Sequence, residues 1–238
     1  MNPTEPAGCS LVIPVFNEEE ILRDNTETLV HFMDTVDSPY EILIISNGST
    51  DNTVVLGHEL ERSVPVVRFF QLGRKGVGRA FQMAIRSAAF PYLLCLDMDL
   101  SVELDFIPRA LSLLGDYHVV IGSKKTGEQR RSWVRRAGSD TFLLCARWLL
   151  GLPYDDYSIG AKAYHRAVVE NFVERINHGT SYVLEIIYLA QGQGYRIGSI
   201  PVQCEDLRGS RFNLVHEAVY RFYHLFRLWF TERQSGKQ

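Results

Sequence analysis

The sequence predicts an α/β protein built on one mostly parallel sheet, and three observations carry that reading. Short, continuously apolar, β-branched runs alternate with longer amphipathic stretches through the first half. That is the pattern of βαβ units whose strands are covered on both faces. The residues capable of chemistry in this half fall directly after an apolar run, and open α/β sheets bind ligands beyond the carboxyl ends of their strands. With 238 residues, 46% of them hydrophobic, the chain can bury a full core.

Taken in order, Ser10–Phe16 (SLVIPVF) reads as a strand and Glu18–Val36 as a helix. Tyr40–Ser46 is a second strand, followed by the turn Asn47-Gly48-Ser49-Thr50 and a helix from Asp51 to about Arg62. Val66–Leu72 is a third strand, Val77–Ala89 a helix and Tyr92–Asp97 a fourth strand. Asp105–Leu114 reads as helical and His118–Gly122 as extended. A basic loop, Ser123–Arg136, precedes a helix at Gly138–Leu150 and a loop at Leu152–Gly160. Helical stretches at His165–Val173 and Ser181–Gln193, a strand at Tyr195–Pro201 and a last helix from Leu214 to Phe230 complete the chain.

Composition excludes several classes. A net charge of −3 argues against a general nucleic-acid binder. The four cysteines, Cys9, Cys95, Cys145 and Cys204, lack CxxC spacing and read as reduced thiols of a cytosolic protein. Met1–Gly8 has no apolar core of a signal peptide, and no uncharged run is long enough for a transmembrane helix.

Asp97-Met98-Asp99, just past the Leu93–Leu96 run, is the sharpest chemical feature. Two carboxylates two residues apart at a strand end can share one hard cation, and Mg²⁺ or Mn²⁺ completes such a shell with water and phosphate oxygens. A metal on a diphosphate neutralises charge on a leaving nucleotide. Pro14–Glu20 (PVFNEEE) ends the first strand, where its polar groups face the same crevice, although carboxylates there also suit a helix start. Asn47–Asp51 ends the second strand; it reads either as a turn with an N-cap or as a segment aiming Asn47 at a nucleotide. Gly73–Gly78, with Arg74 and Lys75, combines glycine and positive charge at a helix start, which suits a diphosphate. Lys124–Arg136 is strongly basic, and Arg135 and Ser139 stand one helical turn apart, a pair that with Lys124 would hold a phosphate-bearing acceptor. Asp156 is the candidate general base for a hydroxyl acceptor. Glu185, in an apolar helix, reads either as a salt-bridged core residue or as a wall of the site.

In this order the pieces resemble glycosyltransferase family 2, and within it the dolichol-phosphate mannosyltransferase-like branch. The resemblance runs from about Leu11 to Arg211. It rests on Val12–Glu20, Asn47–Thr53, Gly76–Ala80, Asp97–Leu100, Val120–Ser123, Arg135 with Ser139, Asp156–Lys162 (DYSIGAK), Glu185 and Gly209-Ser210-Arg211. It implies the GT-A fold as a single domain, with a nucleotide-sugar half at about 10–122, an acceptor half at about 123–211 and an amphipathic helix at 212–238. It implies inverting hexose transfer from a GDP- or UDP-sugar to a polyprenyl phosphate, assisted by Mg²⁺ or Mn²⁺. By similarity Asp97 and Asp99 hold the metal and diphosphate. Asp97, Asp99, Asp156 and Arg135 are the catalytic set. Pro14, Asn17, Glu18, Asn47, Lys75, Gly76 and Met98 line the donor. Lys124, Arg135 and Ser139 meet the lipid phosphate, and Arg208 or Arg211 closes over the donor. Ser46-Asn47 stands where the family has two acidic residues, Ser101 where it often has Gln, and Lys124 where it has Arg. Two other readings remain: transfer to a soluble hydroxyl acceptor, and an inactive domain that binds nucleotide-sugars.

Val215, Val219, Phe222, Phe226 and Phe230 form one helix face with arginines interleaved. That helix either packs on the core or rests on a membrane. The second option suits a cytoplasmic protein held peripherally on the cytoplasmic membrane face.

Overall fold

The computed structural model describes residues 7–124, 133–204 and 214–235, the side chains of 133–137, 214–217 and 232–235 excepted. Among the described residues seven strands form one sheet: β1 Cys9–Val15, β2 Tyr40–Asn47, β3 Val67–Leu72, β4 Tyr92–Cys95, β5 Val119–Lys124, β6 Lys162–His165 and β7 Ile197–Val202. Their order is β3-β2-β1-β4-β6-β5-β7. All neighbours pair in parallel except β6, which runs antiparallel between β4 and β5.

Strand alternation explains why the apolar runs are continuous. Leu11 and Ile13 of β1 and Ile42 and Ile44 of β2 face one core, whereas Val12, Leu43 and Ile45 face the other. The first core is closed by helices α1 Leu22–Met33, α2 Thr53–Ser63 and α4 Phe106–Leu113. The second is closed by α3 Val77–Ser87, α5 Trp133–Leu150, α6 Arg166–Glu170, α7 Tyr182–Gly192 and α8 Leu214–Ser235. A parallel sheet needs both covers, because each face is apolar.

Three elements differ from expectation. Lys162–His165 is a strand, where a helix was expected from His165; helix begins only at Arg166. Four residues, two of them Ala and Lys, carry too little β signal to declare a strand. The first helix starts at Leu22 rather than Glu18, because Asn17 adopts a left-handed φ of 56° and turns the chain away. The basic stretch is shorter as a loop than expected: β5 runs to Lys124 and α5 starts at Trp133, which puts Arg135 and Arg136 in its first turn.

At the end of the sheet remote from those loops, His118 packs on the rings of His165 and Tyr195, at 5.7 and 5.1 Å. Burial, His165 and Arg196 together lower its pKa. The unfolded chain therefore takes up this proton first as pH falls through about 6.5. The group is neutral in both states above about pH 7 and makes no difference there. Below that the folded state resists protonation, so stability is lost with acid. The thermal midpoint should fall between pH 7.5 and 5.5 (approximate bounds around the histidine range), and His118→Gln should flatten that slope. An unchanged slope in the variant would exclude this histidine as the cause.

Candidate active site

The candidate site lies at the carboxyl ends of β1, β2 and β4, where open parallel sheets bind ligands. Leu96 extends the β4 ladder by donating to the Val12 carbonyl at 3.2 Å. The chain then turns sharply: Leu100 has a φ of 49° and donates to the Asp97 carbonyl at 3.1 Å. The turn brings Asp97 and Asp99 out of the core together. Asp99 is half-buried, and one of its oxygens accepts from the Ser101 amide at 3.0 Å.

Asp97 is seated against Gly160. A Cβ at that glycine would fall 2.2 Å from Asp97 Oδ2, so a larger residue there would displace the carboxylate or the turn beneath it. The Gly160 amide hydrogen-bonds the carboxylate. Atoms crowded around the carboxyl and the charge of Asp99 push its pKa up, with Lys162, Lys124 and the Gly160 amide opposing. The two carboxylates thus repel each other in a partly desolvated floor, a strain that a divalent cation relieves. The donor set fits Mg²⁺ or Mn²⁺ with phosphate and water oxygens completing the shell. Among the described residues no three His, Cys, Asp or Glu side chains gather around one point, so the pair would not hold a cation in an all-protein cage.

The loops after β1 and β2 are stitched to each other. The Asn17 side-chain oxygen accepts from the Thr50 amide at 2.8 Å, and the Asn17 amide donates to Ser49 Oγ at 3.1 Å. The Glu18 amide donates to Thr53 Oγ1 at 2.8 Å, and Glu19 accepts from the Asn52 amide at 3.0 Å. Pro14, Asn17 and Glu18 are half-buried on this wall. Asn47 is 7% exposed, and its side-chain oxygen accepts from the Gly76 amide at 2.5 Å. It therefore fixes the loop after β3, and that oxygen is already engaged. Lys75 lies across the Phe16 ring at 3.7 Å, which brings its ammonium to the end of β1.

Gly76 and Gly78 have a reason that sequence alone did not supply. A Cβ on either would meet the backbone carbonyls of His178 and Asn177, at 2.7 and 2.0 Å. The Gly78 amide donates to the His178 carbonyl at 3.0 Å. The glycines thus admit a second loop against the start of α3. Met98 also differs from expectation: it is 3% exposed and points into the core, with its carbonyl taken by Asn25 at 2.8 Å.

Asp156 is 8% exposed, and one oxygen accepts from the Ser158 amide, the Ser158 hydroxyl and the Ile159 amide at 2.7, 2.8 and 3.1 Å. These bonds form the turn that delivers Gly160 under Asp97. Lys162, 2% exposed on β6, has its ammonium in the field of Asp156 and Asp97. Burial pushes its pKa down to about 8, with those carboxylates opposing and Arg221 adding to the shift. The sequence assigns Lys162 no role, because the four-residue strand that buries it is not legible there.

Lys124 is half-buried at the end of β5, close enough to influence Asp97. Ser139 is exposed on α5. The Arg135 backbone lies in the same helix, its side chain outside the described set, and Arg208 and Arg211 lie outside the described residues. Glu185 resolves as an interior junction. It is 4% exposed, accepts from the Asn177 amide and lies 3.9 Å from both His224 Nδ1 and Arg227 Nη2, tying α7 to α8. Burial raises its pKa.

A family model described as glycosyl transferase family 2 matches residues 10–217. An undecaprenyl-phosphate 4-deoxy-4-formamido-L-arabinose transferase of Serratia proteamaculans is 28% identical over 173 residues, covering 71% of this chain and 53% of the relative. The chain thus spans about half the length of that relative. A dolichyl-phosphate hexose transferase of Haloferax volcanii is 25% identical, covering 84% of each chain. Among solved structures, glucosyl-3-phosphoglycerate synthase of Mycobacterium tuberculosis with Mn²⁺ and UDP-glucose superposes with a TM-score of 0.70 at 16% identity, covering 94% of this chain and 79% of that one. Mannosyl-3-phosphoglycerate synthase of Rubrobacter xylanophilus gives 0.72 at 14% identity, covering 98% and 76%.

Proposed function

The chain belongs to glycosyl transferase family 2, and from that premise we propose that it transfers a hexose from a GDP- or UDP-sugar to a polyprenyl phosphate at a membrane surface. It is a glycosyltransferase with the GT-A fold. The observation that carries the chemistry is the Asp97/Asp99 pair, seated by Gly160 and bordered by Lys124 and Lys162. Mg²⁺ or Mn²⁺, when bound, supplies charge neutralisation on the donor diphosphate.

The chain's own residues do the rest. Asp97 and Asp99 would hold that cation at the diphosphate end of the donor. Pro14, Asn17 and Glu18 flank the nucleotide, and Lys75 and the Gly76 turn lie toward its phosphates. Lys124, Arg135 and Ser139 receive the acceptor phosphate, and Arg208 or Arg211 contacts the donor. An acceptor oxygen attacks the anomeric carbon in line, the bond from that carbon to the diphosphate oxygen breaks, and the configuration inverts. A phosphate acceptor is already anionic near neutral pH, so the step needs positioning more than a base. The bonding of Asp156 supports this choice, because its turn already engages one oxygen three times over. In this reading Asp156 and Lys162 position Asp97.

No helix among the described residues is long and apolar enough to cross a membrane. The test is turnover with GDP- and UDP-hexoses, Mn²⁺ and a short-chain polyprenyl phosphate. A lipid-linked hexose from one donor is the expected product. No product from any donor, with product from a soluble hydroxyl acceptor, would refute the phosphate assignment.

A further inference from the structure

Helix α1 carries one residue out of keeping with its face. Leu22, Asn25, Thr26, Leu29 and Met33 recur at i, i+3, i+4, i+7 and i+11, the spacing of a helix side that packs on a core. Leu22, Leu29 and Met33 are buried there, and the Thr26 hydroxyl returns to its own helix, donating to the Leu22 carbonyl at 2.6 Å. Asn25 is half-buried on the same side, and its side chain leaves the helix. Its Nδ2 donates to the Met98 carbonyl at 2.8 Å, across 73 positions of sequence. An amide in an apolar row is costly unless it is bonded, so an Asn at this position goes with that bond.

Met98 stands between Asp97 and Asp99, and the turn that carries the three residues is held at each of them. The Gly160 amide hydrogen-bonds Asp97, the Ser101 amide donates to Asp99 at 3.0 Å, and Asn25 holds the Met98 carbonyl. The Met98 side chain, 3% exposed, packs in the same core as Leu22 and Leu29. Backbone and side chain of Met98 are therefore both anchored. Leu100 then stands in the left-handed region at a φ of 49°, a conformation that a leucine keeps only where its surroundings hold it. We propose that Asn25 is a positioning residue for the diphosphate site: its hold on the Met98 carbonyl keeps the turn closed and fixes the spacing of Asp97 and Asp99 toward one cation. Groups that orient metal ligands from behind set the affinity for the metal, and here the orienting bond acts through the backbone between the two carboxylates. This inference rests on the nucleotide-sugar reading above.

The experiment compares the wild type with Asn25→Ala and Met33→Ala. Met33 is fully buried about two turns further along α1, so truncating it loosens the packing of the helix without touching the turn. Mn²⁺ is titrated at fixed GDP or UDP, and nucleotide binding is read by calorimetry. Asn25→Ala should need about tenfold more Mn²⁺ than the wild type for half-maximal binding. Met33→Ala should stay within about twofold of the wild type, although its melting temperature falls at least as far. A second readout needs neither metal nor nucleotide: hydrogen exchange of the 97–101 amides, taken relative to those of β1, should quicken in Asn25→Ala. An unchanged Mn²⁺ requirement in Asn25→Ala, an equal rise in Met33→Ala, or exchange that does not quicken overturns the proposal. Exchange that quickens in the variant, with neither nucleotide bound by the wild type, keeps the hold on the turn and overturns the nucleotide-site reading instead.

Discussion

Replacing Asp99 by Ala should reduce turnover on the order of 10²–10³-fold while leaving the fold in place. Asp99 is the better probe of the pair because its structural duty is small: it is half-buried, and the Ser101 amide at 3.0 Å is its described local partner. Losing that bond should cost about 1 kcal/mol, too little to unfold a domain of this size. What goes with it is half of the carboxylate pair that meets a cation on the diphosphate. Steady-state kinetics with a thermal melt of the same preparation separates the two effects. Full activity in Asp99→Ala would remove the metal assignment, and a collapsed melt would make the residue structural.

Gly160→Ala should be nearly as damaging to turnover, although it adds one methyl group and removes no polar atom. The added Cβ would fall 2.2 Å from Oδ2 and 2.4 Å from Cγ of Asp97, so the carboxylate or the 156–160 turn must move. Overpacking of this kind costs about 1–3 kcal/mol, which lowers the melting temperature by several degrees in a chain this long. A displacement of about 1 Å at a reacting centre can cost around a hundredfold in rate. The loss should appear in kcat and in the metal concentration needed for half activity, because the seat of Asp97 has changed. Unaltered metal dependence would mean that Asp97 needs no seat.

The parallel half of the fold was legible because β1, β2 and β4 are buried along most of their length, so each is a mainly apolar run between helices. The edge strand β3 keeps enough of that pattern despite Arg68 and Gln71. β6 was not legible. It owes its place to pairing with β4 and β5 rather than to β-forming residues, and Lys162 at its start reads as polar until Asp97 and Asp156 stand beside it. At the site, Asp97 and Asp99 could be read from a short motif at a strand end. Gly160 could not be assigned its duty, because what makes it a glycine lies 63 positions away in sequence. Gly76 and Gly78 were read as making room for a diphosphate, whereas the neighbour filling that space is the 177–178 backbone. Glu185 left two readings open in sequence; the Asn177 loop and α8 together choose the interior one.

The most direct test of the central claim, a metal-assisted nucleotide-diphosphate site at the ends of β1, β2 and β4, is calorimetric titration of GDP and UDP with Mn²⁺ and with a chelator. One of the two nucleotides should bind with Mn²⁺ and lose about tenfold or more in affinity when the metal is chelated or Asp99 is Ala. Binding of neither nucleotide, or equal binding with chelator and in Asp99→Ala, would contradict it.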